Sequence, residues 1–320
     1  MNATVLVTGG TGFVGIHTIL QLLQQGYIVK TTLRSLSKKD TIIRALNEAG
    51  IIDFTNLSFY EAELTADAGW AEAVAHCNYV LHIASPFPAQ EPKDENDLII
   101  PARDGALRVL RAAKEASVER VVLTSSFAAI GYGREPSNHV FTEADWTDEK
   151  APIMAYIKSK TVAEKAAWQF MEAEGGTMEL TVINPVGIFG PVIGSISSAS
   201  VDIVSGIING TITESPAFSF GVVDVRDVAD IHIKAMLNPE AKGERFLATS
   251  DGVMTFYDIA QLLKAQKGGI AQSVSILTNP NVSYITLSND KAKTVLGWQP
   301  RTKEEAILAT VESLFDVKST

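Results

Sequence analysis

Two short stretches of the sequence hold the residue types that proton-transfer chemistry needs. "TSSFAAIGYG" begins at Thr124, and "YIKSK" runs from Tyr156 to Lys160. Residues four apart on a helix share a face, so a helical reading puts the Lys160 ammonium beside the Tyr156 phenol. At about 4 Å and an effective dielectric near 20, one positive charge favours the phenolate by up to about 4 kcal/mol before solvent screening. That corresponds to about three pH units and would let the phenol serve as a proton donor near neutral pH. Ser126, at the end of the preceding strand, can hydrogen-bond the same carbonyl oxygen and hold it near the tyrosine while a hydride arrives. Neither pattern is specific alone. YxxxK arises by chance in many helices, and serine pairs at strand ends are commonly turn formers.

A third stretch supplies what such chemistry would act with. "TGGTGFVG" carries GxxGxxG at Gly9, Gly12 and Gly15, directly after one β-type run and at the opening of a helical one. Gly9 permits the tight turn, Gly12 lets a pyrophosphate approach the backbone, and Gly15 lets the helix pack closely; free N–H groups at the helix start face the phosphates. Gly9, Thr11, Gly12, Phe13, Val14 and Gly15 are therefore expected to touch a dinucleotide; the alternative is a glycine-rich turn that binds nothing. Dinucleotide folds usually end the second strand on an acid that takes the ribose hydroxyls. Here that neighbourhood reads Thr31, Thr32, Leu33, Arg34. Arg34, with Lys38 or Lys39 a turn later, is suited to the 2′-phosphate of NADP(H). Without the glycine loop, the same charges would read as solvated helix-start residues.

The elements that must position these residues follow from the alternation of β-branched runs and amphipathic stretches. Strands are expected at 4–7, 28–33, 57–60, 79–83 and 121–124, and helices from the glycine loop to about 25, then at 39–49, 69–75 and 99–116. Such alternation predicts an α/β fold, a doubly wound parallel sheet. Residues 130–151 read as a long surface loop, of the kind that tends to be functional, before a helix over 152–173. "ELTVINP" is a further strand, and "GVVDVRDVADIHIKAML" a short strand followed by a helix. The division expected is a dinucleotide-binding domain over 1–190, to which 221–247 returns. A smaller, α-rich C-terminal substrate lobe takes 191–220 and 248–320.

The bulk numbers narrow the partners. A chain of 320 residues with 46% hydrophobic and 20% charged residues is ordinary for a globular protein. Its formal charge of −10 opposes nucleic acid and anionic membranes, though a local basic pocket can still hold one small anion. No apolar run reaches membrane-spanning length and no leader pattern is expected. Cys77 is the only cysteine, which fits a reducing compartment, the cytosol being the plain reading. The five histidines show no metal-ligand spacing, so no metal is expected. His82 reads as a satisfied strand-end histidine, Cys77 as unreactive, and the acids of "EPKDEND" as a solvated loop or cap. Phe87, Phe127, Tyr132, Phe189 and Phe218 are either lining for an apolar substrate pocket or core.

The order GxxGxxG, TSS, YxxxK, "INPVGIFGP" over nearly the whole chain resembles the extended short-chain dehydrogenase/reductase family. "HIASP", "VVLTSS", "DVRDVADIHIKAM" and "KTVLGWQPRTKEEAI" resemble its branch of NADPH-dependent carbonyl reductases related to dihydroflavonol reductase and cinnamoyl-CoA reductase. The resemblance implies reduction of an aldehyde or ketone by NADP(H), with Tyr156 as acid, Ser126 rather than Ser125 as the serine, and Lys160 binding ribose and lowering the tyrosine's pKa. It implies cofactor contacts by Glu63 and Leu64 on adenine, by Ala84, by Pro185 and Val186 on nicotinamide, and by Ser200. It also implies a small-molecule carbonyl as partner and a monomer or homodimer. Two rival readings are a nucleotide-sugar epimerase or dehydratase of the same fold, and a redox sensor that binds NADP without turnover. One departure is Arg108, which stands where many extended relatives carry a helix-borne Asn, so a proton relay through that side chain is not implied here.

Overall fold

Val5, Leu6 and Val7 have no exposed surface, and they alternate between two hydrophobic clusters, Val5 and Val7 in one and Leu6 in the other. That is the period of a strand covered on both faces. The computed structural model describes residues 3–86, 90, 92–133, 138–266 and 272–316. Its first half runs β1 (Thr4–Val7), α1 (Phe13–Gln24), β2 (Ile28–Leu33), α2 (Lys39–Glu48), β3 (Leu57–Glu61), α3 (Trp70–Val74), β4 (Tyr79–His82), α4 (Asn96–Glu115) and β5 (Arg120–Thr124). Next come β6 (Val140–Phe141), α5 (Ala155–Glu174), β7 (Glu179–Pro185), β8 (Gly187–Phe189), α6 (Ala199–Asn209), β9 (Phe220–Asp224), α7 (Val225–Leu237) and β10 (Arg245–Ala248). The chain ends with β11 (Val253–Met254), α8 (Phe256–Lys264), β12 (Thr286–Leu287), α9 (Asp290–Leu296) and α10 (Lys303–Asp316).

A seven-stranded sheet in the order β10-β7-β5-β4-β1-β2-β3 forms the centre, and every neighbouring pair is parallel. This is the doubly wound, Rossmann-type α/β fold that the alternation predicts. One face is covered by α1, α2 and α7, the other by α3, α4 and α5. Because β1 has β2 on one side and β4 on the other, the connections leaving β1 and entering β4 part, which opens a crevice at their carboxyl ends. Everything of chemical interest converges there.

The remaining strands differ from the expectation of a mostly helical remainder. β9 pairs with β8 and β11 in a three-stranded sheet, not with the central one, and β12 pairs with β6. These added strands, β6, β8, β11 and β12, have two or three residues each, too few to display a period. β8 and β11 pack with α6, α8 and α10 in a separate core around Phe189, Ile207, Leu263 and Ile307, whereas Phe141 of β6 and Leu287 of β12 pack against Phe127, Ile130 and Leu247. α4 also starts at Asn96, before the expected Ile99. Asp94 accepts the Asn96 N–H at 2.9 Å and begins the helix early enough that Pro101 falls in its second turn. α5 starts at Ala155 because Met154 is extended, with ψ 147°.

The glycine loop is tightly packed within this frame. Gly9 has φ +75°, and a Cβ on Gly15 would stand 2.3 Å from the Gly9 carbonyl oxygen. Gly15→Ala is therefore expected to lower stability by about 1–3 kcal/mol, the usual cost of overpacking, read as a reduced urea midpoint. Gly12→Ala, whose methyl would lie 3.2 Å from the same oxygen, should cost less. Equal midpoints for the two variants would contradict the close-packing role.

Candidate active site

The loop between β1 and α1 is pinned from β2. The N–H groups of Gly9 and Gly10 donate to Thr32, at its side-chain oxygen (3.3 Å) and its carbonyl (3.2 Å), and Gly12 N–H closes back on the Gly9 carbonyl at 2.9 Å. Gly12 is the N-cap of α1 and has no side chain to cap it. Among the described residues, no acceptor meets the N–H groups of Phe13 or Val14. With Thr11 and Gly12 exposed beside them, these donors and the helix dipole suit a phosphate.

β2 ends one residue before Arg34, which is exposed and, among the described residues, has no hydrogen-bond or ion-pair partner. Lys38, at the end of a short 3-10 turn capped by Ser35, is exposed too. Lys39 is not equivalent to it, since its ammonium lies 5.3 Å from the centroid of the Phe59 ring. An acid does approach from the next strand: Glu61 accepts the Leu36 N–H at 3.1 Å.

Glu63 is exposed, with its carbonyl held by the Trp70 indole N–H at 3.1 Å. The Leu64 carbonyl accepts from Arg108, whose guanidinium also pairs with Asp67. Arg108 thus fixes the 63–67 segment, while α4 turns Ala102 and Ala106 toward the interior cavity.

β5 delivers the two serines, and the structure separates them. The Ser126 side chain caps a 3-10 turn, accepting from Ala128 N–H at 3.1 Å, and is hydrogen-bonded to the Tyr156 phenol. Ser125 instead donates to Glu164 at 2.5 Å. Lys160 is 8% exposed, donates to Ser85 Oγ at 2.9 Å, and its Nζ stands 5.9 Å from the Tyr156 ring centroid. Ser126, Tyr156 and Lys160 are therefore brought together.

The electrostatics differ from the sequence expectation of an acidified phenol. Burial pushes the Tyr156 pKa above its ordinary value; the Ser126 hydrogen bond acts in the opposite direction, and nearby Tyr132 adds to the rise. Loss of solvent is the dominant influence, and it penalises the charged form of both residues. Lys160 accordingly drops to about 8, with Glu164 opposing the fall.

Beneath Lys160 lies a cavity of about 20 Å³ bordered by His82, Ser85, Thr124, Ser125 and Glu164, room for a single water. Thr8 Oγ1 accepts from the N–H groups of Ile83 (3.0 Å) and Ala84 (2.9 Å), so its one proton goes to His82 Nδ1 at 2.8 Å. Burial first, then Lys160, lowers His82 to about 3. It is a neutral, satisfied histidine, as the strand-end reading expects.

Ala84 abuts the loop, its Cα lying 3.1 Å from where a Gly9 Cβ would be. Pro185 is buried at the end of β7, and Val186 N–H bonds the Ala248 carbonyl at 3.2 Å. Ser200 is in the first turn of α6, next to Val201, which shares a buried cluster with Phe13. Among the aromatics, Phe127 and Phe189 are core residues, whereas Tyr132 (39%) and Phe218 (53%) are exposed; Phe87 lies outside the described residues. Cys77 is buried and its thiol is pushed up to about 11. No metal-holding cluster occurs among the described residues.

Sequence reasoning missed Thr8, Ser85, Asn184 and Glu164. Glu164 left a signal: it stands four residues after Lys160 and eight after Tyr156, on one helical stripe. The other three are single polar residues at strand ends, without a pattern.

Comparison with known proteins identifies the family. Residues 5–248 match the NAD dependent epimerase/dehydratase family. A cinnamoyl-CoA reductase of Medicago truncatula is 32% identical, with 99% of this chain and 97% of that protein aligned. The NADPH-dependent methylglyoxal reductase GRE2 of Saccharomyces cerevisiae is 32% identical over 97% of this chain and 98% of its own length. Among solved structures, Gre2 of Candida albicans in complex with NADPH superposes with a TM-score of 0.86 at 30% identity, covering 98% of this chain and 99% of that one. With the family match over residues 5–248, relatives 32% identical over nearly the whole chain and the parallel sheet order, the chain belongs to the NAD dependent epimerase/dehydratase family, the extended short-chain dehydrogenases/reductases.

Proposed function

We propose that this protein is an NADPH-dependent reductase of small aldehydes and ketones, with Tyr156 as proton donor. The observation that carries the reading is the hydrogen bond between Ser126 and Tyr156 with Lys160 Nζ 5.9 Å from the phenol ring, beside the crevice that the glycine loop borders. The reductases among its relatives, two of them named for NADPH, support it. The loop fits the cofactor: N–H groups at the start of α1, without an acceptor among the described residues, suit its pyrophosphate, and Arg34, without a partner among the described residues, suits a 2′-phosphate. When bound, NADPH supplies the hydride to the carbonyl carbon.

The chain's own groups handle the oxygen. Ser126 and Tyr156 hydroxyls hold it by hydrogen bonds, and as negative charge develops there Tyr156 transfers its proton to it. A phenol whose pKa is raised by burial keeps its proton in the resting site, which a donor must do. An alkoxide is far more basic than a phenolate, so the transfer remains downhill. The phenolate left behind faces the Lys160 ammonium, which stabilises it across a site with little water. Tyr132, exposed and close enough to act on the phenol, gives its neighbourhood an aromatic surface suited to an alkyl or aryl substituent.

NADPH absorbance, followed with a panel of aryl and aliphatic aldehydes, ketones and dicarbonyls such as methylglyoxal, tests the reading; no oxidation with any of them despite tight cofactor binding would reject it. Tyr156→Phe should lower turnover by about 100- to 10,000-fold while NADPH affinity stays near that of the parent, and preserved turnover would remove Tyr156 from the donor role. For Ser126→Ala the rate should drop by about two orders of magnitude; an unchanged rate would leave the oxygen without this contact. Arg34→Ala should weaken NADPH by about 10- to 100-fold, the worth of charge-assisted hydrogen bonds, and NADH hardly at all. Titrations showing equal losses would place the 2′-phosphate elsewhere.

A further inference from the structure

We infer that Glu164 is a positioning residue for the proposed reduction: its buried carboxylate clamps the serine loop to the helix that carries Tyr156 and Lys160, and keeps Lys160 charged beneath the phenol. The inference rests on the reductase reading and deepens it.

A carboxylate with 1% of its surface exposed needs a dense set of donors. Glu164 Oε2 accepts from Ser125 Oγ at 2.5 Å and Asn184 Nδ2 at 2.7 Å, and Oε1 from Arg245 Nε at 2.6 Å and Trp168 Nε1 at 3.3 Å. These partners come from the end of β5, from β7, from β10 and from α5 itself. Asn184 Nδ2 also donates to the Ser126 carbonyl at 3.2 Å, so one amide ties the residue that holds the phenol to the carboxylate. Tyr156 and Lys160 precede Glu164 by two turns and one turn on the same helix face. Serine and tyrosine therefore keep their spacing through Glu164, although it touches neither.

The same carboxylate is the negative group on the wall of the Lys160 cavity. Around Lys160, β4 presents neutral His82, the segment after it Ser85, and β5 and the residue after it Leu123, Thr124 and Ser125. The segment after β3 presents Leu64 and α4 presents Ala102 and Ala106; α5 adds Tyr156 and Glu164. Arg245 lies behind Glu164, its guanidinium 3.8 Å from the Trp146 ring centroid and bonded to the carbonyls of Glu143 and Asp145. Removing the Glu164 charge leaves only neutral or positive groups to face the ammonium, since Tyr156 is protonated at rest.

The test titrates Lys160 by NMR with isotope-labelled lysine in the protein without cofactor, and measures kcat against pH with it. In the parent the Lys160 midpoint is expected at about 8. Glu164→Gln should move it down by about one to two units, the Coulomb effect of one nearby charge at an effective dielectric near 20. The falling limb of kcat should move down with it, so that rate lost near the parent midpoint is recovered about two pH units lower. Glu164→Asp should restore the midpoint, and NADPH affinity should change less than kcat. If Glu164→Gln does not fold because Arg245 is left unpaired, Glu164→Gln with Arg245→Gln removes both buried charges and is read in the same way. An unshifted Lys160 midpoint and an unshifted limb in a folded, active variant would overturn the inference. Failure of the reductase reading is distinct: the parent itself would oxidise no NADPH at any pH, and the NMR midpoint would still report whether Glu164 holds the lysine's charge.

Discussion

A parallel sheet leaves two neighbouring strand ends uncovered only where its connections part to opposite faces, and in this protein that happens between β1 and β4. The two ends are knitted by one hydroxyl. Thr8, directly after β1, accepts two N–H groups from residues 83 and 84 and donates to His82, while its own N–H bonds the Leu81 carbonyl at 3.0 Å. The glycine loop leaves from one side of this knot and the Ala84–Ser85 segment from the other. β5, next to β4, then brings Ser126, and α5, packed along α4, brings Tyr156 and Lys160. Each site residue is a short step from a strand end whose position the sheet already determines.

Around that crevice, burial acts on Tyr156, Lys160 and His82 more strongly than any neighbour does. It raises the phenol, lowers the ammonium and lowers the imidazole, in each case favouring the neutral form. His82 has no opposing charge and stays neutral. Lys160 is kept from falling further by Glu164, and the phenol is pulled back by Ser126. The simple picture of a lysine acidifying a tyrosine omits this larger effect. A site tuned by desolvation holds its phenol protonated and its ammonium only moderately charged, so small rearrangements of charge have large consequences in a low-dielectric surrounding.

Much of this was legible in the sequence. β1, β2 and β4 were found within a residue or so because both faces are buried and the runs read as continuous β-branched or apolar segments. GxxGxxG was legible because a tight turn and close packing admit few residues, and YxxxK because helical spacing translates directly into a shared face. What escaped was set by tertiary contact. Nothing local in Thr8 shows that its hydroxyl will bind the segment after β4, and only the fold decides it. Arg108 broke an expected pattern without revealing that it would hold the Leu64 carbonyl. β8 and β11 gain their pairing from β9, and β12 from β6, through tertiary proximity and not from propensity.

The overall charge of −10 would oppose a ligand that carries several phosphates, yet the crevice is suited to one. The resolution lies in range. At physiological salt, charges more than about 8 Å apart are largely screened, so distant acids count for little against donors in contact. At contact distance the proposed phosphate sites would offer the N–H groups at the start of α1 and the Arg34 guanidinium, which have no partner among the described residues, and the neighbouring acid, Glu61, has an oxygen engaged by the Leu36 N–H. Loop geometry supplies the first set of donors and strand register the second, since Leu33 and Glu61 are partners across β2 and β3. Recognition of an anion by an acidic protein thus requires no basic surface, only a few donors held in place by the sheet.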